Sequence, residues 1–244
     1  MATLIFDIET IGEEWESLDE TTQHILSRWV ERTAKSDEER EAGMKDLREG
    51  LGFSPLTGEV VAIGLYDLER KKGVVYYQAD AEVEDYDVDE YTLKVRSEKE
   101  MLEDFWEGAE AYDTFVTFNG RGFDAPFLNL RSAIHNIRPS QDLMSGRYLY
   151  QQKTVKHIDL QDQMTFYGAM FRKPSLHLFC RAFGIESPKA GGVAGDDVTE
   201  LFKTKKFRDI AEYNVRDVVA TTELYEKWLE YLAPESFKEL PSIL

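Results

Sequence analysis

Carboxylates stand at the end of the first apolar run of the sequence, where a buried strand would normally carry only apolar side chains. In LIFDIE, residues 4–9, Asp7 and Glu9 are two residues apart. A β-strand places residues i and i+2 on one face, so both carboxylates are predicted to point the same way. Two poorly hydrated acids repel each other, and a divalent cation with oxygen ligands is the simplest compensation. The alternative is that Asp7–Thr10 merely ends the strand in a turn.

A further carboxylate, Asp124, follows a β-branched and aromatic run in TFNGRGFDAPFL, residues 117–128. Asn119, two glycines and Phe123 precede it, and a helical apolar pattern follows it. A lone acid just past a strand is most often a helix N-cap, and that alternative stays open for Asp124 taken alone. Functional sites of open α/β sheets gather at the carboxyl ends of strands, which predicts that Asp124 meets the acids of the first stretch.

The last long helical pattern contains EYNVRDVVATTELY, in which Tyr213 and Asp217 are four residues apart and share one helical face. Small residues on that face, Ala220 and Thr221, would let the helix lie close to a sheet. A buried tyrosine paired with an acid is the structural alternative. Together, Asp217 and the three preceding acids carry four negative charges, which two divalent ions would cancel. Two metal ions about 3.5–4 Å apart are the arrangement used for in-line phosphoryl displacement.

The elements that must position these residues follow from hydrophobic periodicity and turn signals. Strands are predicted at 2–8, in two antiparallel segments within 58–78, at 114–119 and at 155–161. Helices are predicted at 97–113, 125–137, 175–185 and 206–232. Segment 13–50 is acidic and helical in pattern, and segment 79–97 is acidic and turn-rich. The order predicts one α/β domain over 1–244, with a mixed central sheet of about five strands, the first three an antiparallel meander, and helices on both faces.

Charge and composition narrow the classes of protein. The chain of 244 residues has a net charge of −18, which opposes binding to a phosphate backbone. Residues 121–208, however, hold fourteen Lys and Arg against eight Asp and Glu, so one third of an acidic chain is basic. A single cysteine, Cys180, excludes an internal disulfide framework. With no basic leader at the N-terminus and no long apolar run, we expect a cytoplasmic location and no membrane association.

The segments FDIET, NGRGFD and YNVRD resemble, in order and spacing, the three motifs of the DEDD 3′→5′ exonucleases. Tyr213, four residues before Asp217, resembles the tyrosine branch, because Glu212 stands where the other branch has histidine. HIDL at 157–160 and TGEVVAIGLYD at 57–67 also resemble segments of this group, the latter in its polymerase-associated members. Proofreading domains of family B DNA polymerases and ribonuclease D-like enzymes belong to it. The resemblance implies a ribonuclease H-like fold.

The resemblance also implies roles for individual residues. Asp7, Glu9, Asp124 and Asp217 would hold two divalent ions, Mg²⁺ or Mn²⁺, for hydrolysis of the terminal phosphodiester, and Tyr213 would position the attacking water. A phenol with a pKa of about 10 is a poor base at neutral pH. The 3′ end of a single strand, with DNA favoured over RNA, would contact a second set: Thr10 and Ile11 through their backbone groups, Asn119, Phe123 and Lys189. For Phe123, filling the core is the alternative.

Other functions stay open. The same fold can serve as a catalytically silent module that binds nucleic acid or protein, and an RNA-trimming enzyme differs only in substrate. The acidic segments 13–50 and 79–97 depart from the family pattern, and we expect them to narrow the substrate range or dock a protein partner. A track for single strands is predicted where aromatic and basic residues alternate, with core aromatics and solvated charges as the alternative. Its members are Tyr148, Tyr150, Lys153, Lys156, Phe166, Tyr167, Phe171, Arg172 and Lys173.

Overall fold

A computed structural model describes residues 2–80, 83–170, 172–192 and 195–238. Phe171, one of the residues of the predicted track, lies outside them. The strands are β1 (Thr3–Gly12), β2 (Gly58–Asp67), β3 (Lys72–Tyr77), β4 (Tyr86–Val88), β5 (Tyr91–Val95), β6 (Thr114–Thr117) and β7 (Lys156–Asp159). The helices are α1 (Glu20–Thr33), α2 (Asp37–Glu49), α3 (Glu98–Ala109), α4 (Asp124–Ile134), α5 (Leu160–Met164), α6 (Leu176–Phe183), α7 (Val198–Lys203), α8 (Phe207–Tyr231) and α9 (Glu235–Lys238). In this part of the chain no helix is both long enough and apolar enough to cross a membrane.

The strands form one mixed sheet in the order β4-β5-β3-β2-β1-β6-β7. β1, β2 and β3 are the predicted antiparallel meander, and β6 and β7 continue the sheet parallel to β1. The predicted count of about five strands is wrong, because the described residues contain seven. Segment 79–97, predicted to be acidic and turn-rich, contains β4 and β5, which form one edge of the sheet. Both strands are short and lie among acidic residues, so their alternation was too brief to recognise.

Helices cover the two faces of the sheet, and each face has its own core. One core includes Ile5, Val116 and Ile158 of the sheet and the buried side of α8. The other includes Phe6, Phe115 and the apolar sides of α3 and α4. Successive residues of a strand point to opposite faces, so β1 and β6, at the centre of the sheet, contribute to both cores. Because β1 lies between β2 and β6, its end, where the predicted acids lie, is held within the sheet.

Helix α8 packs directly against β1 and β2, and Gly64 of β2 leaves the space for this packing. A Cβ built on Gly64 would come within 2.1 Å of Asn214 Oδ1 and 2.8 Å of Val218 Cγ2. Gly64 is the direct partner of Asp7 in the β1–β2 register. Any larger residue would therefore push the helix away at the strand position that carries the first acid.

The acidic segment 13–50 folds into α1 and α2, which pack against each other and are capped by Asp19 and Ser36. A 3₁₀ turn, Gly50–Phe53, follows α2 and brings the chain back to the end of β1. There Thr10 Oγ1 donates a hydrogen bond to the Gly52 carbonyl at 2.7 Å. The predicted insertion thus ends in direct contact with the strand that carries Asp7 and Glu9.

Candidate metal centre and active site

Three of the predicted acids form one cluster. Asp7 and Glu9 lie on β1 and Asp217 lies on α8, and one carboxylate oxygen from each is within 4.8 Å of the others. Glu9 is 7% exposed, while Asp7 and Asp217 are partly buried. The i, i+2 spacing of a strand places the first two on the face that α8 covers, as predicted. Residues more than 200 positions apart in the sequence therefore present oxygen atoms to one small volume.

Asp124 is beside this cluster and is held differently. It is the first residue of α4 and is buried, and its Oδ1 accepts a hydrogen bond from the Ile8 backbone N–H at 3.1 Å. The N-cap position belongs to Phe123, which makes no side-chain cap. Asp124 thus ties the start of α4 to β1, between the two acids of that strand, and its charge raises the pKa of Asp7.

Burial dominates the electrostatics of the four acids. It raises the pKa of Asp124 and of Asp217 to about 7, and it raises the pKa values of Asp7 and Glu9 well above the usual range. Repulsion between the carboxylates adds to the rise for Asp7 and Glu9. Among the described residues, no lysine or arginine forms an ion pair with any of the four. The four acids thus have no directly paired cation in this part of the chain, and only Asp217 has its pKa lowered by nearby positive charges, those of Arg216 and Lys189.

A divalent cation fits this site. All the donors are carboxylate oxygens, which are the ligands that Mg²⁺, Mn²⁺ and Ca²⁺ prefer, and the set contains no sulfur or imidazole. Bound cations would also favour the charged form of every acid, against the cost of their burial. The donor set does not select among these ions.

Asn214 is a residue of the site that sequence reasoning missed. It is fully buried on α8, and its Nδ2 donates a hydrogen bond to Asp7 Oδ2 at 2.9 Å. This bond lowers the pKa of Asp7, against the effect of burial. Asn214 Oδ1 has no hydrogen-bond partner. Its position three residues before Asp217, one helical turn away, was the signal that could have identified it.

Tyr213 lies on α8 one turn before Asp217, and interaction with its hydroxyl lowers the pKa of the Asp217 carboxyl. The side chain is buried, and burial together with the nearby carboxylates raises the pKa of its phenol far above the usual value. The phenol therefore stays protonated. It can donate a hydrogen bond to a water or a substrate oxygen, but it cannot accept a proton as a base.

The NGRGFD segment forms a tight turn that Asp159 organises. Asn119 is in the left-handed region with φ +63°, and its backbone N–H donates to Asp159 Oδ1 at 2.9 Å. The Arg121 N–H donates to Asp159 Oδ2 at 3.0 Å. A Cβ on Gly120 would come within 2.3 Å of Thr117 Oγ1, so this position must be glycine. Asp159 is buried at the end of β7, and the sequence had predicted no role for it.

The remaining predicted substrate contacts lie at the same end of the sheet. Ile11 is buried and lines a cleft of ≈ 570 Å³ next to α7, and the Thr10 hydroxyl donates to the Gly52 carbonyl. Contact of either residue with a 3′ end through its backbone groups stays a prediction. Phe123 is partly buried and packs on Phe127. Lys189 is exposed on the turn Pro188–Gly191, and its charge lowers the pKa of Asp217.

The predicted aromatic and basic track is partly assembled. The Tyr148 ring stacks on Tyr150 with centroids 5.7 Å apart and contacts the edge of Tyr167 at 4.6 Å. Tyr150 and Phe166 are largely exposed. The Lys156 ammonium is used within the fold, where it donates to the Leu149 and Gln152 carbonyls. Binding of a single strand along this surface stays a prediction.

The sheet order and flanking helices define an α/β fold of the ribonuclease H-like type. The chain is similar to the family B DNA polymerase of the hyperthermophilic archaeon Pyrobaculum calidifontis, with a TM-score of 0.57 and 18% sequence identity. The likeness covers 93% of this chain and 24% of the polymerase, so the chain spans about a quarter of that protein. At this identity the comparison concerns the fold.

Comparison with protein-family models gives a more specific result than the likeness of folds. Residues 62–236 match a family model described as a predicted 3′–5′ exonuclease related to the exonuclease domain of PolB, and the chain belongs to this family. The matched residues include Asp124, Tyr213 and Asp217, whereas Asp7 and Glu9 precede them. Comparison with curated protein sequences gave no match.

Proposed function

We propose that this chain is a metal-dependent 3′→5′ exonuclease of the tyrosine branch, acting on the ends of single-stranded nucleic acid. The observation that carries the proposal is the partly buried cluster of Asp7, Glu9 and Asp217 oxygens within 4.8 Å of one another, with Asp124 beside it. Membership of a family of predicted 3′–5′ exonucleases supports the reaction class. The relation of that family to PolB supports DNA as the first substrate to test.

The four acids would hold two divalent ions, Mg²⁺ or Mn²⁺. When bound, such ions lower the pKa of water and stabilise charge on the attacking and leaving oxygens of a phosphodiester. Asp7 and Glu9, on a central strand, would hold their oxygens rigidly, and Asp217 would add an oxygen from α8. Asn214 keeps one oxygen of Asp7 occupied and so orients the other.

Tyr213 would act as a hydrogen-bond donor that positions the attacking water or a phosphate oxygen, because its phenol stays protonated. Lys189, exposed near Asp217, would attract the phosphate backbone. Asn119 would hydrogen-bond the strand, and Phe123 and the backbone at Thr10 and Ile11 would contact the terminal nucleotide. A protein partner that binds segment 13–50 or 79–97 stays a prediction.

End-labelled oligonucleotides test this function. Matched DNA and RNA single strands, labelled at the 5′ end, are incubated with Mg²⁺ or Mn²⁺ and with a chelator. The proposal expects a ladder that shortens from the 3′ end only with metal, and none with Asp7→Asn. Glu223→Gln, an exposed change on α8, is the matched control. Metal-dependent binding without cleavage of either substrate would contradict the proposal and favour a binding module, and cleavage of RNA alone would favour an RNA-trimming enzyme.

A further inference from the structure

Phe53 is an exposed aromatic side chain at the edge of the candidate site. It ends the 3₁₀ turn that follows α2, and 64% of it is exposed. Its ring centroid is 6.4 Å from that of Phe123, with the planes at 65°. Phe123 directly precedes Asp124. Phe53 therefore adds a second ring to the aromatic residue beside one acid of the site, and it lies just after the inserted segment 13–50.

The backbone that carries Phe53 is fixed to the strand of the other acids. The preceding residue, Gly52, accepts a hydrogen bond from Thr10 Oγ1, one residue beyond Glu9. The Leu51 carbonyl accepts one from Thr57 Oγ1 at 2.8 Å. A Cβ on Gly12 would come within 2.7 Å of the Gly52 N, so the turn lies directly against β1. The backbone that carries the ring is therefore held in place before a ligand arrives, which reduces the entropy lost on binding.

Single exposed apolar residues are common and need no ligand to explain them. Phe53 differs because two contacts tie it to chain neighbours of the acids: Gly52 accepts a hydrogen bond from Thr10, next to Glu9, and the Phe53 ring lies beside Phe123, next to Asp124. An exposed aromatic face at such a place can stack on a nucleobase, and stacking tolerates any base because each has a π-face. A terminal base that is paired in a duplex has only its outer face open and is held in place by its partner, whereas an unpaired terminal base can rotate to lay either face on a ring.

We propose that Phe53 stacks on the 3′-terminal nucleobase of the substrate strand, with Phe123 at the edge of that base. This inference rests on the proposed exonuclease function and assigns the 3₁₀ turn after the inserted segment to substrate binding. It predicts a preference for frayed or single-stranded ends, because an unpaired terminal base is free to rotate onto the ring.

Steady-state kinetics on a single-stranded DNA with a free 3′ end test the role of the aromatic ring. Phe53→Leu removes the ring and keeps an apolar side chain, and it is expected to raise KM about tenfold. Phe53→Trp keeps a stacking surface and is expected to stay within about twofold of wild type, on the same principle. Trp29→Leu, which changes a 46% exposed aromatic residue on α1, is the matched control and is expected to leave KM unchanged. Thermal melts verify that each variant folds.

A binding experiment separates this inference from the proposed function. An oligonucleotide with 2-aminopurine as its last base is bound in Ca²⁺, and stacking on an aromatic ring quenches its fluorescence. The stacking contact predicts quenching in wild type and in Phe53→Trp but not in Phe53→Leu. It also predicts no quenching when the probe lies six nucleotides inward. This result would support the contact even if wild type fails to cleave. Cleavage by wild type with equal KM and equal quenching in Phe53→Leu would overturn it and leave the exonuclease proposal standing.

Discussion

The side-chain amide of Asn214 donates a hydrogen bond to Oδ2 of Asp7 at 2.9 Å, joining the final helix to the first strand. The amide is fully buried, and the space for it exists because the strand residue opposite Asp7 is Gly64. An asparagine supplies a donor without adding charge to a cluster that is already too negative. Because the bond occupies one oxygen of Asp7, it orients the carboxylate and its second oxygen. Hydrogen-bond partners of metal-binding carboxylates commonly have this role.

Removing this bond should weaken metal binding. Asn214→Ala is expected to lower the affinity for Mn²⁺ about 10- to 100-fold, the usual effect of losing a group that orients a metal ligand. Gly64→Ala should have the same effect, because its methyl group would clash with the amide oxygen. Isothermal titration with Mn²⁺ measures both affinities. Asn129→Ala, which removes an amide that donates to the Ala125 carbonyl, is the control; equal losses in all three variants would contradict the positioning role.

The acidic cluster should destabilise the metal-free protein. The pKa values of Asp124 and Asp217 are raised to about 7, so the folded state binds protons more tightly than the unfolded chain. Stability from this source is present below pH 4 and is lost as the pH rises toward 7. In chelator at pH 7.5, Asp217→Asn is expected to increase the free energy of unfolding by about 1–2 kcal/mol while abolishing metal-dependent cleavage.

Chemical denaturation with and without Mg²⁺ checks this expectation. Metal should stabilise wild type more than Asp217→Asn, because ions that bind only the folded state add stability by mass action. Glu223→Gln on the exposed side of the same helix is the control and should respond to metal as wild type does. Destabilisation of the metal-free protein by Asp217→Asn would show that the cluster is compensated in some other way.

Tyr213→Phe should separate catalysis from metal binding. Loss of the hydroxyl removes one hydrogen-bond donor and keeps the ring, so we expect kcat to fall about 10- to 100-fold with little change in KM or Mn²⁺ affinity, as for loss of one positioning group. Because the phenol stays protonated, the pH dependence of kcat should keep its shape in the variant. Disappearance of a titration step in Tyr213→Phe would mean that the phenol acts as a base.

His157 should make the protein sensitive to acid. It is fully buried, its Nδ1 donates to the Leu143 carbonyl, and its Nε2 accepts from Thr117 Oγ1. Burial lowers the pKa of His157 to about 4, below that of the unfolded chain, so its contribution is complete above pH 6.5 and is lost as the pH falls toward 4. This loss amounts to about 3 kcal/mol.

Urea titrations from pH 7 to pH 4 measure the effect of His157. His157→Gln is expected to be less stable than wild type at pH 7, where two hydrogen bonds are disturbed, but to lose less stability on acidification. His24→Gln, on the exposed side of α1, is the control. Parallel curves for wild type and His157→Gln would show that another group governs the acid response.

The elements were largely predictable from the sequence because hydrophobic periodicity is local. Strand and helix patterns located the meander, the strand before Asp124 and the final helix, whose predicted span of 206–232 differs from α8 by one residue at each end. The predicted helix 97–113 is α3, and a capping box formed by Ser97 and Glu100, a pattern visible in the sequence, begins it. Strands β4 and β5 were not predicted. With three and five residues in an acidic stretch, they are too short to show an alternation of apolar and polar residues.

The sequence alone determined which residue types stand where: acids two apart on a strand, an acid after a strand, and a tyrosine one turn before an acid. It also determined the family, through motifs whose order is visible without coordinates. Only the tertiary structure decided that Asn214 reaches Asp7, that Asp159 shapes the NGRGFD turn, and that Phe53 lies beside Phe123. Such contacts depend on the register between strands and on the close approach of α8 over Gly64. Distance in space between residues far apart in the chain is a property of packing, which local patterns do not encode.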